Sequence, residues 1–149
     1  ILLAFQPGPV EEIRAVGAPV LTPWYDIAQA RIQFAGGCVA NLTASRVSEA
    51  PSRTIRLFQR DAAITMDYHT RQGTISRAHH PTEGASGIET EPLTGGDGEP
   101  LKLELESFIR SVVTGAPPVV SGEDGTAALE LAHRILGAIE EFLRRLHHA

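Results

Sequence analysis

Cysteine, lysine and tryptophan each occur once in the 149-residue sequence, as Cys38, Lys102 and Trp24. One cysteine leaves no intramolecular disulfide and no thiolate metal cluster. It favours a reducing, intracellular setting, so a cytoplasmic location is expected. The N-x-T pattern at Asn41-Leu42-Thr43 lies inside a predicted strand of this disulfide-free chain and reads as a coincidence. One lysine, scattered arginines and a net charge of −5 leave no basic stripe, which argues against a nucleic-acid surface. No apolar run is long enough to span a bilayer, and no signal-peptide architecture is present. The phosphate-cradling patterns G-x-G-x-x-G and G-x-x-x-x-G-K-[ST] are missing, as is the nucleophile elbow G-x-S-x-G. Turns account for Gly36-Gly37 and Gly95-Gly96.

What is present is ordinary for a globular domain: 42% apolar and 21% charged residues, in a length that suits one core. The opening ILLAF has no capping residue ahead of it and reads as the end of a helical segment already under way. The expectation is a piece of a longer protein. After the turn at Gln6-Pro7-Gly8-Pro9, strands are predicted over 11–17, 26–34, 38–48, 53–59, 62–68 and 74–78, with a possible edge strand over 87–93. Residues 18–25 form a Pro-punctuated loop, and Gly36-Gly37 turns a hairpin. Beyond Pro100 the period changes. Leu101, Leu105, Phe108, Ile109 and Val112 mark a helix that ends at Gly115, and Ser121 caps a second helix striped by Leu131, Ile135, Ile139 and Phe142. Glu140–Arg144 and Glu141–Arg145 are helix-supporting pairs in the favoured order. The fold class is α+β: an open-faced, mostly antiparallel sheet of about six or seven strands with helices covering one face.

Few side chains suggest chemistry. Along 36–48, Cys38, Ala40, Leu42 and Ala44 point one way and Asn41, Thr43 and Ser45 the other, so a small, uncharged polar row lies on the uncovered face. Asn41, Thr43 and Ser45 are interface candidates, since short polar side chains let a second sheet approach closely. Arg46 shares the apolar side by parity, as either an edge residue paired with Glu49 or solvent, or a clamp for an oxyanion. Trp24-Tyr25 offers a stacking platform or a lid on the core. His79-His80 and His147-His148 lack convergent partners, so no metal is expected. His133 falls on the polar side of the last helix, and Ser121-Gly-Glu-Asp reads as a capping box.

In order, EEIRAVGAPVLTP, DIAQARIQFAGGCVANLTASRVS, RTIRLFQRDAAITMDY, EPLKLELESFIRSVVTGAPPVVSGEDGTAAL and the final helix resemble the C-terminal domain of Gfo/Idh/MocA-type oxidoreductases. The flavour is that of the branch acting on nucleotide sugars of the UDP-N-acetylglucosamine type. The resemblance implies a parent with an N-terminal Rossmann domain for NAD or NADP, and a C-terminal sheet that lines the sugar site and builds dimers or tetramers. It also implies hydride transfer at a sugar carbon, assisted by a Lys from an E-K-P motif and a nearby His. This chain has neither the Rossmann fingerprint nor E-K-P, and none of its histidines falls at the family's position, so no catalytic or cofactor-binding residue is carried over. Residues 1–149 are thus expected to be a substrate and oligomerisation domain, inactive alone, with Arg46, Trp24 and Tyr25 as substrate-lining candidates. The partners expected are a second copy and, in the parent, a sugar, with neither nucleic acid nor membrane. The alternative is a stand-alone assembly or small-molecule binding module with an open sheet face.

Overall fold

The computed structural model describes residues 1–5, 7–79 and 87–147, with 79 and 147 described by backbone alone. The described residues form seven strands, all antiparallel, in sheets β1-β2-β3 and β4-β5-β6-β7. They divide into two compact units, residues 1–49 with 107–149, and residues 50–106.

The first unit follows from its alternation. After a 3-10 turn over Leu2–Phe5 come β1 (Val10–Ala18), β2 (Ile27–Phe34) and β3 (Val39–Ser45). The register sets Ile13 opposite Ile32 and Ala40, and Ala15 opposite Ala30 and Leu42, so one face is apolar throughout. Helix α2 (Gly122–His147) packs on that face. Its Ile139 is fully buried with Ala15 and Ala30, and its Leu131 joins the buried pair Ile32 and Phe34. Alanines on the strands let the helix sit close, and Gly17 carries this furthest. A Cβ on Gly17 would stand 3.1 Å from Ile139 Cγ2 and 3.2 Å from Tyr25 Cδ1. The β2–β3 hairpin turns at Gly36-Gly37 as the sequence predicts, with Gly37 at φ +80° and its N–H donating to the Phe34 carbonyl. A bulge at Glu11 shifts the register between Val10 and Glu12.

The second unit holds β4 (Thr54–Phe58), β5 (Ala62–Asp67), β6 (Gln72–His79) and β7 (Gly87–Thr94), the last at the edge where GIETEPL was expected. Ile55, Leu57, Ile64, Met66, Ile75 and Leu93 share one face of this sheet, and Thr65, Thr74, Ser76 and Thr90 the other. The strands therefore divide between two sheets. Ser45 turns the chain by accepting the Val47 N–H at 3.2 Å, Pro51 follows, and no ladder joins β3 to β4 among the described residues.

Both helices begin where their caps place them. Helix α1 (Pro100–Thr114) is capped by the Glu99 carboxylate, which accepts from the Leu101 and Lys102 N–H groups, and it stops at Gly115 with φ +69°. None of its residues is buried: Leu101, Leu105, Phe108, Ile109 and Val112 are all exposed, so α2 alone supplies the buried helical contacts. In α2, Ser121 Oγ accepts the Asp124 N–H while the Asp124 carboxylate accepts the Ser121 N–H, closing the expected box. Arg145 pairs with Glu141, but Arg144 donates to the Glu140 carbonyl instead of its carboxylate, correcting the second expected pair. His133 is exposed, as its helical position implied.

Truncating the fully buried Ile139 to Ala removes the side chain that closes the core and is expected to cost about 2–5 kcal/mol. Leu146→Ala, on the same stripe but 58% exposed, should stay within about 0.5 kcal/mol of the parent. Urea unfolding followed by circular dichroism measures both. Equal losses would contradict the placement of the core.

Candidate functional site

Alternation along β2 puts even-numbered residues on the helix side: Ala28, Ala30, Ile32 and Phe34. Asp26 continues that series one step before the strand and is 2% exposed. A carboxylate in that position must be satisfied by hydrogen bonds. Its Oδ2 accepts the N–H groups of Val20, Leu21 and Thr22 at 2.9, 2.7 and 2.8 Å. Its Oδ1 accepts the Thr22 hydroxyl at 2.9 Å. Its own N–H and carbonyl join the ladder ends, to the Ala18 carbonyl and the Arg46 N–H. One side chain thus gathers the Pro-punctuated 19–25 loop around itself.

Of the substrate-lining candidates, Arg46 reaches this carboxylate, while Trp24 and Tyr25 lie on the loop it holds. Arg46 lies opposite Asp26, just past the Ile27–Ser45 pair, and holds the helix-side orientation that parity gave it. Its Nε stands 3.6 Å from Asp26 Oδ1, an ion pair without a hydrogen bond, and its side chain is 62% exposed. The pairing with Glu49 considered from sequence is replaced by this one. Trp24 N–H donates to Thr22 Oγ1 at 3.2 Å, while the indole side of the residue is open to solvent. Tyr25 turns inward, half-buried against the Ala15–Ala30–Ile139 cluster. The loop therefore shows Trp24, Val20 and Leu21 outward on a fixed backbone.

Asp26 and Thr22 were not singled out from sequence, although a signal existed. Asp26 and Arg46, of opposite charge, occupy core-parity positions at adjoining strand ends, and a carboxylate at such a position needs a partner or donors to be buried.

The interface candidates lie elsewhere, on the opposite face of the sheet. Asn41, Thr43 and Ser45 are exposed there, in rows with Arg31, Gln29 and Ile27 of β2. Asn41 and Thr43 line an open cleft of about 690 Å³, together with Leu42, Phe142, Glu141 and Arg145. Helix α2 stops short of covering β3, and Leu42 and Phe142 are left partly exposed. Among the described residues no three His, Cys, Asp or Glu side chains converge as metal ligands. The histidine pairs at 79–80 and 147–148 lie outside the described side chains. No helix among the described residues is long and apolar enough to cross a membrane.

In the Rossmann arrangement a dinucleotide's pyrophosphate sits at the glycine-rich junction of a parallel strand and a helix. The described strands are all antiparallel, Gly36-Gly37 serves a hairpin, and Gly95-Gly96 follows the edge strand β7. These residues do not fit that group.

An antiparallel α+β domain with this strand and helix order matches the resemblance drawn from the sequence, the C-terminal domain of Gfo/Idh/MocA-type oxidoreductases. The chain is similar to UDP-N-acetylglucosamine 3-dehydrogenase of Acidithiobacillus ferrooxidans, 31% identical over 142 residues, or 90% of this chain and 43% of that protein. A solved structure of that dehydrogenase superimposes with a TM-score of 0.83 at 28% identity, over 95% of this chain and 44% of its own. Levoglucosan dehydrogenase in complex with NADH shares the fold, with a TM-score of 0.73 at 17% identity over 89% of this chain and 43% of its own. The chain thus spans less than half the length of these relatives. No protein-family model matches it.

The donors around Asp26, Thr22 N–H first, hold its carboxyl well below the ordinary 3.8, against the opposing effect of burial. A depressed folded-state pKa contributes stability that is present above the unfolded value and is lost as pH falls through the folded one. The anisotropy of Trp24, the sole tryptophan, should therefore stay level from about pH 8 down through the ordinary carboxylate value of 3.8, and fall only below it. Asp26→Asn should lower that anisotropy across the range and reduce the melting temperature by roughly 5 °C or more. A transition of the parent near the ordinary carboxylate pKa would contradict the arrangement.

Proposed function

We propose that this chain is the substrate-side and assembly domain of an NAD(P)-dependent oxidoreductase acting on a sugar or nucleotide sugar. The observation that carries the reading is the match in sequence and backbone to UDP-N-acetylglucosamine 3-dehydrogenase over nine-tenths of this chain. In this reading the dinucleotide and the catalytic Lys and His belong to a further domain, and the chain alone binds no NADH and turns over no sugar. The loop clamped by Asp26 presents Trp24 to the sugar, with Tyr25 behind it and Arg46 beside it. A partly exposed guanidinium and an exposed indole suit a sugar ring and an anionic substituent. The open face bearing Asn41, Thr43 and Ser45 meets a second copy, and the protein works in the cytoplasm.

The test combines light scattering with titrations of NADH and UDP-N-acetylglucosamine, read through Trp24. The expected result is a dimer or larger assembly, quenching by the nucleotide sugar and none by NADH. A monomer that binds NADH would overturn the reading. Thr43→Arg places a charge in the middle of the polar row and is expected to give a monomer of unchanged circular dichroism, while a dimer of unchanged mass would remove that face from the assembly.

A further inference from the structure

The open face of the β1-β2-β3 sheet carries its charges in rows. One cross-strand row is Arg14, Arg31 and Asn41, and the next, two residues along each strand, is Glu12, Gln33 and Val39. The bulged Glu11 adds its carboxylate to the second row, where Gln33 Nε2 donates to it at 3.3 Å. The rest of this face is uncharged: Val16, Gln29, Ile27, Thr43 and Ser45. Two like charges directly opposite each other on neighbouring strands repel, so the Arg14–Arg31 pair costs the isolated sheet stability. Its neighbours relieve it only in part. Arg14 Nε donates to Glu12 at 2.8 Å with the two side chains 77% and 49% exposed, and Arg31 donates to Asn41 at 3.3 Å. The terminal nitrogens of Arg14 remain directed at no acceptor within this contact.

Two positive and two negative groups sum to zero, which makes this face a poor site for a free anion. It is instead complementary to itself. Rows two residues apart along a strand are separated by about 6.8 Å. A two-fold axis between two facing sheets, running across the strands and midway between the rows, exchanges the rows. Glu12 of one copy then lies over Arg14 of the other, and the Glu11–Gln33 end lies over Arg31. Each Arg14 guanidinium, with its Nε on its own Glu12, turns its remaining fork to the other copy's Glu12. Val16 and Val39, both exposed, flank the charged rows and supply apolar contact.

We propose that the Glu11/Glu12 and Arg14/Arg31 rows select a second copy of this chain, pairing reciprocally and fixing the register of a face-to-face dimer. The proposal rests on the assembly reading above and specifies its electrostatic code. Exposed rows of this kind govern specificity and encounter rate and are weakened by salt.

The experiment uses two variants, Glu11→Arg with Glu12→Arg, and Arg14→Glu with Arg31→Glu, each checked for parental circular dichroism. The dimer dissociation constant is measured by light scattering and sedimentation for each alone and for an equimolar mixture. Each alone carries one sign of charge and should dimerise about tenfold more weakly or worse, whereas the mixture should form a heterodimer. If either reversal fails to fold, Glu12→Gln and Arg14→Gln take their place, and loss of the salt dependence of dimerisation is then the expected result. A mixture that stays monomeric, or single-sign variants that dimerise like the parent, would overturn the proposal while leaving assembly through another face intact. A monomeric parent would overturn both.

Discussion

Gly17 has no side chain, and the space where one would stand is filled from two directions. Ile139 reaches it from α2 and Tyr25 from the β1–β2 loop, so that an added Cβ would meet each of them more tightly than carbon atoms ordinarily pack. That shared space couples the core to the loop. The helix can lie low over Ala15 and Ala30 because β1 yields at Gly17, and Tyr25 closes the end of the same cluster. A Cβ at position 17 would require Ile139 and Tyr25 to give by a few tenths of an ångström in a packed cluster.

With Tyr25 fixed, Asp26 does the remaining work on the loop. Its carboxylate collects three backbone donors that would otherwise need water, and it draws Arg46 alongside. A buried carboxylate is costly when alone and tolerable when saturated with donors, so the loop and the charge stabilise each other. The two faces of the sheet therefore have separate tasks. The helix side ends in a clamped loop with an exposed indole, and the open side carries alternating rows of charge.

Much of this was legible because alternation is strict. The parity of Ala40, Leu42 and Ala44 against Asn41, Thr43 and Ser45 gave the two faces of β3, and the same count placed Arg46 on the helix side. Gly37, Gly115 and Ser121 marked turn, stop and cap in the places where the structure has them. Parity did not single out Asp26 because a charged residue at the first position of a predicted strand reads as a solvated end. Its true partners lie four to six residues back along the loop, beyond the reach of local turn rules. The division into two sheets was likewise invisible, since a period of two says which side a residue faces and nothing of which strand it pairs with.

The sequence by itself determined the α+β class, the element order, the faces of β2, β3 and β5, the cap that opens α2 and the glycine that ends α1, because these depend on neighbours within one turn or one step of the chain. It also carried the resemblance to the C-terminal domain of an oxidoreductase family, since the order of motifs survives where single motifs are weak. Only the tertiary structure decided that Arg46 answers Asp26, that Tyr25 turns inward while Trp24 faces out, and that α1 keeps its apolar residues exposed while α2 buries Leu131 and Ile139. It also set Arg14 against Arg31, in a β1–β2 register that shifts at the bulge between Val10 and Glu12. Such choices are long-range: they come from which surfaces meet once the chain has closed, and no local pattern encodes that meeting.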